Sequence, residues 1–270
     1  VADTAIRRNG VVTIKGRTVP YRVTVGTQPA FDADNAPIAS LFYTYYERSD
    51  VTDRTARPLV ISFNGGPGSA SVWMHIAYTG PKVLRIDDEG YPLQPYGIED
   101  NPHSILDVAD IVYIDPVNTG FSRIIGDARR EQFFGVNEDI AYLAKWLDMF
   151  VSRVGRWTSP KYLIGESYGT TRVAGLAGRL QGSHWMYLNG VILVSPTGLG
   201  LQRSGPVGDA LSLPYFAATA WYHRKLPADL QAKDLDAVLP EVEAFTVNEL
   251  IPALARGGAL AAEQRAALVQ

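Results

Sequence analysis

The sequence contains no cysteine, no long hydrophobic run and no large excess of either charge. Without cysteine, the chain can form neither disulfides nor thiolate metal sites. No apolar stretch approaches the roughly 18 residues of a membrane-spanning helix. Twenty-five basic and 28 acidic residues leave a net charge of −3, which gives no chain-wide attraction to nucleic acid or an anionic membrane. With 270 residues, 46% of them hydrophobic, the chain can bury a substantial core.

Sequence patterns for metals and phosphates are missing as well. There is no His-Glu-x-x-His pattern for zinc and no Gly-x-x-x-x-Gly-Lys-Ser/Thr loop for phosphate. An acidic run at 87–89 precedes a glycine, and we interpret it as a solvated turn rather than a cation site, which needs several oxygen ligands at fixed spacing. We therefore expect no metal and no cofactor.

Two kinds of strand pattern are present. The first kind is rich in β-branched and aromatic residues, is punctuated by glycine and proline, and predicts antiparallel strands at 11–14, 21–25 and 40–46. The second kind is short, apolar and followed by glycine-rich turns or helices. It predicts buried parallel strands at 59–63, 111–114, 162–164 and 191–194. The fold class expected is therefore α/β.

Helical patterns follow the strands. The clearest runs from Glu138 to Val151, with an apolar stripe and Asn137 as the expected N-cap. After Gly198, prolines interrupt a helical texture. We predict an α/β core over residues 1–199 and a helical cap insertion over residues 200–270. The chain ends within a good helix-forming segment without a stop signal, so we expect the insertion to be incomplete.

A Gly-x-Ser-x-Gly pattern spans residues 165–169. It directly follows the apolar run at 162–164 and directly precedes a helix-compatible segment. That order is typical of a nucleophile turn between a strand and a helix, in which flanking side chains would collide and the serine hydroxyl is exposed. Ser167 is thus a candidate nucleophile. The pattern alone is weak evidence, because glycine and serine are common in this chain.

A second glycine-rich segment, Asn-Gly-Gly-Pro-Gly-Ser at residues 64–69, supports the first. It follows the predicted strand at 59–63. Consecutive glycines let the backbone point its amides towards a ligand, as an oxyanion hole requires. The alternative is an ordinary tight turn.

Together with Asp-Pro-Val-Asn-Thr-Gly-Phe-Ser at 115–122, these motifs occur in the order seen in serine carboxypeptidases. The chain closely resembles a bacterial, disulfide-free member of that family over about residues 43–198. The resemblance implies an α/β-hydrolase fold with a mainly parallel central sheet and a helical cap insertion. It also implies release of C-terminal residues from peptides through an acyl-enzyme. The family often has glycine where Asn118 stands here, and asparagine can adopt the same left-handed conformation.

The resemblance assigns roles residue by residue. Ser167 would be the nucleophile, and the amides of Gly66 and Tyr168 would form the oxyanion hole. Asn64, Glu166 and the Gly65 amide would bind the terminal carboxylate of the substrate. Glu166 can donate a hydrogen bond to that carboxylate only when protonated, so activity should fall as pH rises through its titration. The alternative for Glu166 is a carboxylate that faces the helix dipole.

The acid and the histidine of a catalytic triad are not evident. In this fold they follow the serine, with the histidine last. Of the four histidines, His75 and His103 precede Ser167, His184 follows the nucleophile helix, and His223 lies in the predicted insertion. We expect none of them to complete the triad, and we expect the base and acid on residues outside this chain. Either the chain is truncated, or it is the larger part of an enzyme cut into two associated chains.

Three functions remain open at the sequence level. They are a serine carboxypeptidase, an esterase or acyltransferase of the same fold, and a non-catalytic binding protein that lacks the triad base. The resemblance implies a peptide with a free C-terminal carboxylate as the substrate and an extracytoplasmic location, periplasmic or secreted. It also allows a second chain that carries the acid and histidine, and a homodimer. No nucleic-acid or membrane partner is expected.

Overall fold

A computed structural model describes residues 3–197 and 205–269. The chain divides into two compact units, Val1–Thr197 and Gly198–Gln270. The domain boundary predicted between residues 199 and 200 lies outside the described residues. Within those residues, no helix combines the length and the hydrophobicity needed to cross a bilayer.

The first unit is built on an eight-stranded sheet whose first part is antiparallel. Its strands are β1 (Ala5–Ile14), β2 (Arg17–Phe31) and β3 (Pro37–Arg48), each pairing with the next. The three strands predicted near the start of the chain are therefore confirmed, although each is longer than predicted. Leu59–Phe63 forms β4, and a short hairpin of β5 (Lys82–Leu84) and β6 (Ile98–Asp100) follows it outside the main sheet.

The second part of the sheet is parallel. It comprises β4, β7 (Asp110–Ile114), β9 (Lys161–Glu166) and β10 (Gly190–Val194), while β8 (Arg123–Ile124) pairs with β3. The strand order is β1-β2-β3-β7-β4-β9-β10. All four predicted parallel strands are confirmed, and every residue of β4 and β7 is buried. Because β4 and β9 are parallel neighbours with Phe63 opposite Gly165, the loops that follow them meet at one edge.

Two helices pack together on one face of this sheet: α1 (Val136–Arg153) and α2 (Tyr168–His184). The apolar stripe predicted for α1 is confirmed, since Leu143, Leu147 and Phe150 are fully buried. The predicted cap is wrong. The N-cap is Gly135, with no side-chain cap bond, so Asn137 lies inside the first turn. α1 begins two residues earlier than predicted, because Gly135 has the extended backbone that an N-cap requires.

A buried charge cluster lies at the edge of the sheet where β4 and β7 begin. Asp110 accepts hydrogen bonds from the guanidinium groups of Arg57 (2.7 Å) and Arg156 (2.5 Å), and all three side chains are buried. Arg156 also donates to the hydroxyl of Tyr45 (2.9 Å). This cluster ties the strand starts together, opposite the edge that carries the glycine loop and Ser167.

The second unit is helical over its described residues. Its helices are α3 (Pro206–Leu211), α4 (Leu213–Tyr222), α5 (Ala228–Gln231), α6 (Leu235–Phe245), α7 (Ile251–Arg256) and α8 (Ala262–Val269). The prolines mark helix starts rather than interruptions, because α3, α4 and α7 each have proline in the first turn and Pro227 caps α5. Pro240 alone lies inside a helix. The helical character predicted for this region is thus present.

Candidate active site

Ser167 lies at the sharp turn between β9 and α2. Its backbone has φ 55° and ψ −124°, a conformation that few residues other than glycine adopt. The turn is held by a bond from the Ser167 N–H to the Val194 carbonyl (3.0 Å) and by the hydroxyl of Thr170, which donates to the Ser167 carbonyl (2.7 Å). The strand–turn–helix context predicted for the serine is therefore present, and Ser167 is held in the strained conformation expected of a nucleophile turn.

At the two glycines of the Gly-x-Ser-x-Gly pattern, the structure leaves no space for a side chain at Gly165 and little space for one at Gly169. A Cβ on Gly165 would lie 2.1 Å from the carbonyl oxygen of Gly169. A Cβ on Gly169 would lie 3.0 Å from the carbonyl oxygens of Phe63 and Asn64. Larger residues at these positions would push the turn away from the strand or from the glycine loop. Glycine is expected at both positions from the sequence for the same reason, namely that flanking side chains would collide.

The glycine loop after β4 packs directly against this turn. A Cβ on Gly65 would lie 2.5 Å from the Tyr168 amide nitrogen and 2.9 Å from the Ser167 Cβ. Gly66 has φ +97°, and a bond from the Ser69 N–H to the Gly65 carbonyl (3.1 Å) closes the loop. The Tyr168 amide lies in the first turn of α2, where the helix dipole favours negative charge. The structure thus brings together the residues predicted for the oxyanion hole.

Asn64 and Glu166 form a hydrogen-bonded pair beside the nucleophile. The Asn64 side chain is buried, and its Nδ2 donates to Glu166 Oε2 at 3.0 Å. Its Oδ1 accepts the Met74 backbone N–H at 2.9 Å, which fixes the orientation of the amide. Glu166 is half-buried. Both residues predicted to bind a terminal carboxylate therefore lie next to Ser167, and Asn64 has no freedom to turn away.

A buried ion pair that sequence reasoning missed supports the glycine loop from below. Arg172 on α2 pairs with Asp139 on α1 at 2.7 Å, and its other nitrogens donate to the carbonyls of Asn64 (2.9 Å) and Pro67 (3.3 Å). The Tyr142 hydroxyl donates to Asp139 at 3.1 Å. A signal was available, since Arg172 falls at helical spacing among the buried positions of α2, where a charge requires a partner.

The 115–122 segment braces the loop from the other side. Asp115 accepts the backbone N–H groups of Ser71 (3.0 Å) and Phe121 (3.4 Å), and burial raises the pKa of its carboxyl. Gly120 admits no side chain, because its Cβ would lie 2.0 Å from an Asp115 oxygen. Asn118 has φ 60°, which confirms the left-handed conformation expected of it.

None of the four histidines is hydrogen-bonded to Ser167 in the part of the chain that the structure describes. His75 bonds the Tyr46 hydroxyl (2.8 Å) and stacks on a tyrosine ring, and burial lowers its pKa to about 4. His184 pairs with Asp148 (2.8 Å) at the far end of α2, about 24 Å from Ser167 by helical rise. His103 is exposed on the turn before β7, and His223 belongs to the second unit.

Known proteins are similar to this chain in sequence. A family model described as serine carboxypeptidase matches residues 31–196. Serine carboxypeptidase S10 family member 1 of Dictyostelium discoideum is 29% identical over 143 residues, 51% of this chain and 31% of that protein. Serine carboxypeptidase-like 36 of Arabidopsis thaliana is 30% identical over 161 residues, 58% of this chain and 31% of that protein. The chain thus spans about a third of the length of these relatives.

A solved structure shares the fold. The crystal structure of a prohormone-processing carboxypeptidase from Saccharomyces cerevisiae is similar with a TM-score of 0.53 and 19% identity, covering 92% of this chain and 52% of that one. A mainly parallel sheet, a strained serine between strand and helix, and an adjoining glycine loop define an α/β-hydrolase. Within that class, this chain belongs to the serine carboxypeptidase family, since the family match covers more than half of its residues.

Proposed function

We propose that the protein is a serine carboxypeptidase that removes C-terminal residues from peptides through an acyl-enzyme on Ser167. The observation that carries the proposal is the hydrogen bond between Asn64 and Glu166 beside the nucleophile turn. An esterase needs a nucleophile and an oxyanion hole, but it does not need an amide and a carboxyl group aimed at a substrate carboxylate. Membership of the serine carboxypeptidase family supports the same activity.

In the proposed reaction, Ser167 Oγ attacks the carbonyl carbon of the last peptide bond as its proton passes to a general base. The amides of Gly66 and Tyr168 stabilise the negative charge on the carbonyl oxygen. The C–N bond then breaks, the leaving amine takes the proton from the base, and an ester remains on Ser167. Water activated by the same base hydrolyses the ester and releases the shortened peptide.

Asn64, Glu166 and the Gly65 amide position the substrate by its terminal carboxylate. Oε2 of Glu166 accepts a hydrogen bond from the Asn64 amide. A proton on the Glu166 carboxyl group would therefore be on Oε1, from which it can be donated to the substrate. A peptide anchored in this way offers only its last bond to Ser167.

The general base and its acid are proposed to come from residues outside this chain, either further along the same polypeptide or on an associated second chain. Two observations support this. The described histidines have other partners or other locations, and the chain spans about a third of its relatives' length. The helical second unit is proposed to be a cap insertion, and a location outside the cytoplasm is proposed from the family.

The test uses the protein as isolated from its source, with every chain that co-purifies. Intact mass measurement defines those chains, and a fluorophosphonate probe reports an activated Ser167, with Ser167→Ala as the control. N-blocked dipeptides with a free or an amidated C-terminus separate the activities. We expect labelling together with release from the free acid alone. Equal cleavage of both peptides would favour an esterase-type site, and absence of labelling would favour a binding protein.

A further inference from the structure

A cavity of about 670 Å³ lies in the first unit beside the glycine loop. Pro67, Gly68 and Tyr168 form the side nearest the nucleophile turn. The rest consists of the 116–120 turn, Arg123, the approach to α1, and side chains of α1 and α2. Asn64, Gly65 and Glu166 are not among its walls. The cavity therefore adjoins the nucleophile turn through Tyr168 and shares no wall residue with the proposed carboxylate site. If the leaving residue occupies the carboxylate site, the cavity remains available to the acyl part of the peptide.

The charges around this cavity do not cancel. Four charged side chains line it: Arg123, Arg130, Asp139 and Arg172. Arg172 and Asp139 neutralise each other in their buried pair. Arg123 donates to two backbone carbonyls at 2.7 Å, and Arg130 lies over the Phe134 ring at 4.9 Å. Across the described residues, neither arginine is paired with a carboxylate, so the cavity carries two positive charges in excess.

The deeper wall is apolar. Val117, Phe133 and Tyr142 are all buried and line the cavity, whereas both unpaired arginines are exposed. A ligand group with a short aliphatic stem and an anionic end matches this distribution. The stem would contact the apolar wall, and the carboxylate would reach guanidinium groups that can form two parallel hydrogen bonds with it.

We propose that this cavity receives the side chain of the residue before the scissile bond, and that Arg123 and Arg130 make the enzyme prefer an acidic residue, above all glutamate, at that position. The inference rests on the proposed carboxypeptidase function, because that function places the acyl carbon beside the Tyr168 amide. It narrows the substrate class to peptides with an acidic penultimate residue. The two arginines act as specificity-determining residues rather than as catalytic ones.

The test compares N-acetyl-Glu-Leu with N-acetyl-Gln-Leu, which differ in charge but hardly in shape. Binding to the Ser167→Ala form of the whole protein is measured by calorimetry at low ionic strength. We expect the Glu peptide to bind about five- to tenfold more tightly, because exposed ion pairs contribute modestly and two arginines act together. The ratio of the two affinities, Glu peptide over Gln peptide, should fall towards one when salt is added.

Arg123→Gln and Arg130→Gln should each lower the ratio, and the double variant should reduce it below about twofold. Arg179→Gln, on the exposed face of α2, is the matched control and should leave it unchanged. Melting temperatures show whether each variant folds. Equal binding of the two peptides, or a preference for Glu that survives the double variant, overturns the inference.

Turnover of the two peptides by the unmutated protein distinguishes the proposed acidic preference from the proposed carboxypeptidase function. Cleavage of both peptides at equal kcat/KM would refute the acidic preference and leave the carboxypeptidase function in place. Failure to cleave either peptide, with Ser167 unlabelled by fluorophosphonate, would refute the proposed function. The binding ratio would then still decide whether the cavity selects an acidic side chain.

Discussion

Gly65 is the residue at which the glycine loop and the nucleophile turn come closest. Its missing side chain leaves room for the Tyr168 amide and for the Ser167 Cβ. Gly68, three residues later in the same loop, has no atom within 4 Å of an added Cβ. Two glycines of one loop thus differ sharply in whether the surrounding atoms leave room for a side chain.

Gly65→Ala is expected to lower kcat about 100-fold, comparable with the loss of one oxyanion donor, because the loop must move away from the Tyr168 amide to make room for the methyl group. Steady-state kinetics on an activated ester, with the melting temperature alongside, measure the effect. Gly178→Ala, at an exposed position of α2 where an added Cβ would have no atom within 4 Å, is the control and should stay within about twofold of the parent. Equal kcat values for the two variants would contradict the proposed oxyanion geometry.

Glu166→Gln tests the protonated carboxyl group. Glutamine can accept from Asn64 through its oxygen and donate to the substrate through its nitrogen at every pH. In the parent enzyme, KM should rise with pH, since an ionised Glu166 and the substrate carboxylate repel each other. We expect the variant to have a KM nearly independent of pH, because the glutamine side chain carries no titratable proton. An unchanged KM profile in the variant would exclude a proton-donating role for Glu166.

At the scale of elements, the sequence predicts most of the sheet and both large helices. Apolar runs predict β4 and β9 because buried parallel strands leave an unbroken hydrophobic signature. The start of α1 was misjudged, since glycine competes with asparagine as an N-cap and has no side chain to mark the position. Arg172 was missed for another reason. Its helical spacing indicates burial and therefore a partner, but that partner, Asp139, lies 33 residues away on another helix and the sequence does not identify it.

Arg172→Met tests how α2 supports the glycine loop. The change leaves Asp139 buried without its counter-charge and removes donors from the carbonyls of Asn64 and Pro67, so we expect a loss of about 3–5 kcal/mol in the free energy of unfolding. Urea denaturation measures it. Arg179→Met, on the exposed face of the same helix, should cost less than about 0.5 kcal/mol.

The double variant Arg172→Met with Asp139→Leu should recover part of the lost stability, because no unpaired charge is then buried. Its kcat should be lower than that of the parent, as in Arg172→Met, because the carbonyls of the glycine loop lack the donors that Arg172 provides. Full recovery of kcat would mean that Arg172 only neutralises Asp139 and does not position the loop.

At the scale of the whole first unit, the two edges of the parallel sheet have different tasks. The edge where the strands begin carries the buried cluster of Arg57, Asp110 and Arg156. The edge where the strands end carries the strained turn at Ser167 and the glycine loop. Strain at a functional site must be held by its surroundings. The folded unit as a whole keeps this turn in place. A change in the charge state of a buried group should therefore change the free energy of unfolding.

His75 provides the clearest dependence of stability on pH. Burial lowers its folded pKa to about 4, against an unfolded value of 6.5. Between these two values the unfolded chain binds more protons than the folded one, so stability is highest above pH 6.5 and falls as the pH drops towards 4. We expect this group to account for up to about 3 kcal/mol of that loss. Urea unfolding at a series of pH values from 7 to 4 measures it.

His75→Gln removes the titration while keeping a polar group near the Tyr46 hydroxyl. Its stability should fall less steeply than that of the parent over the same interval, even if the variant is weaker at pH 7 through loss of the stacked ring. His103→Gln changes an exposed histidine and should run parallel to the parent. If the His75→Gln curve were parallel to the parent as well, His75 would be free to take up a proton in the folded state. The ring packed between Tyr46 and Tyr113 would then have to open to water without unfolding the unit.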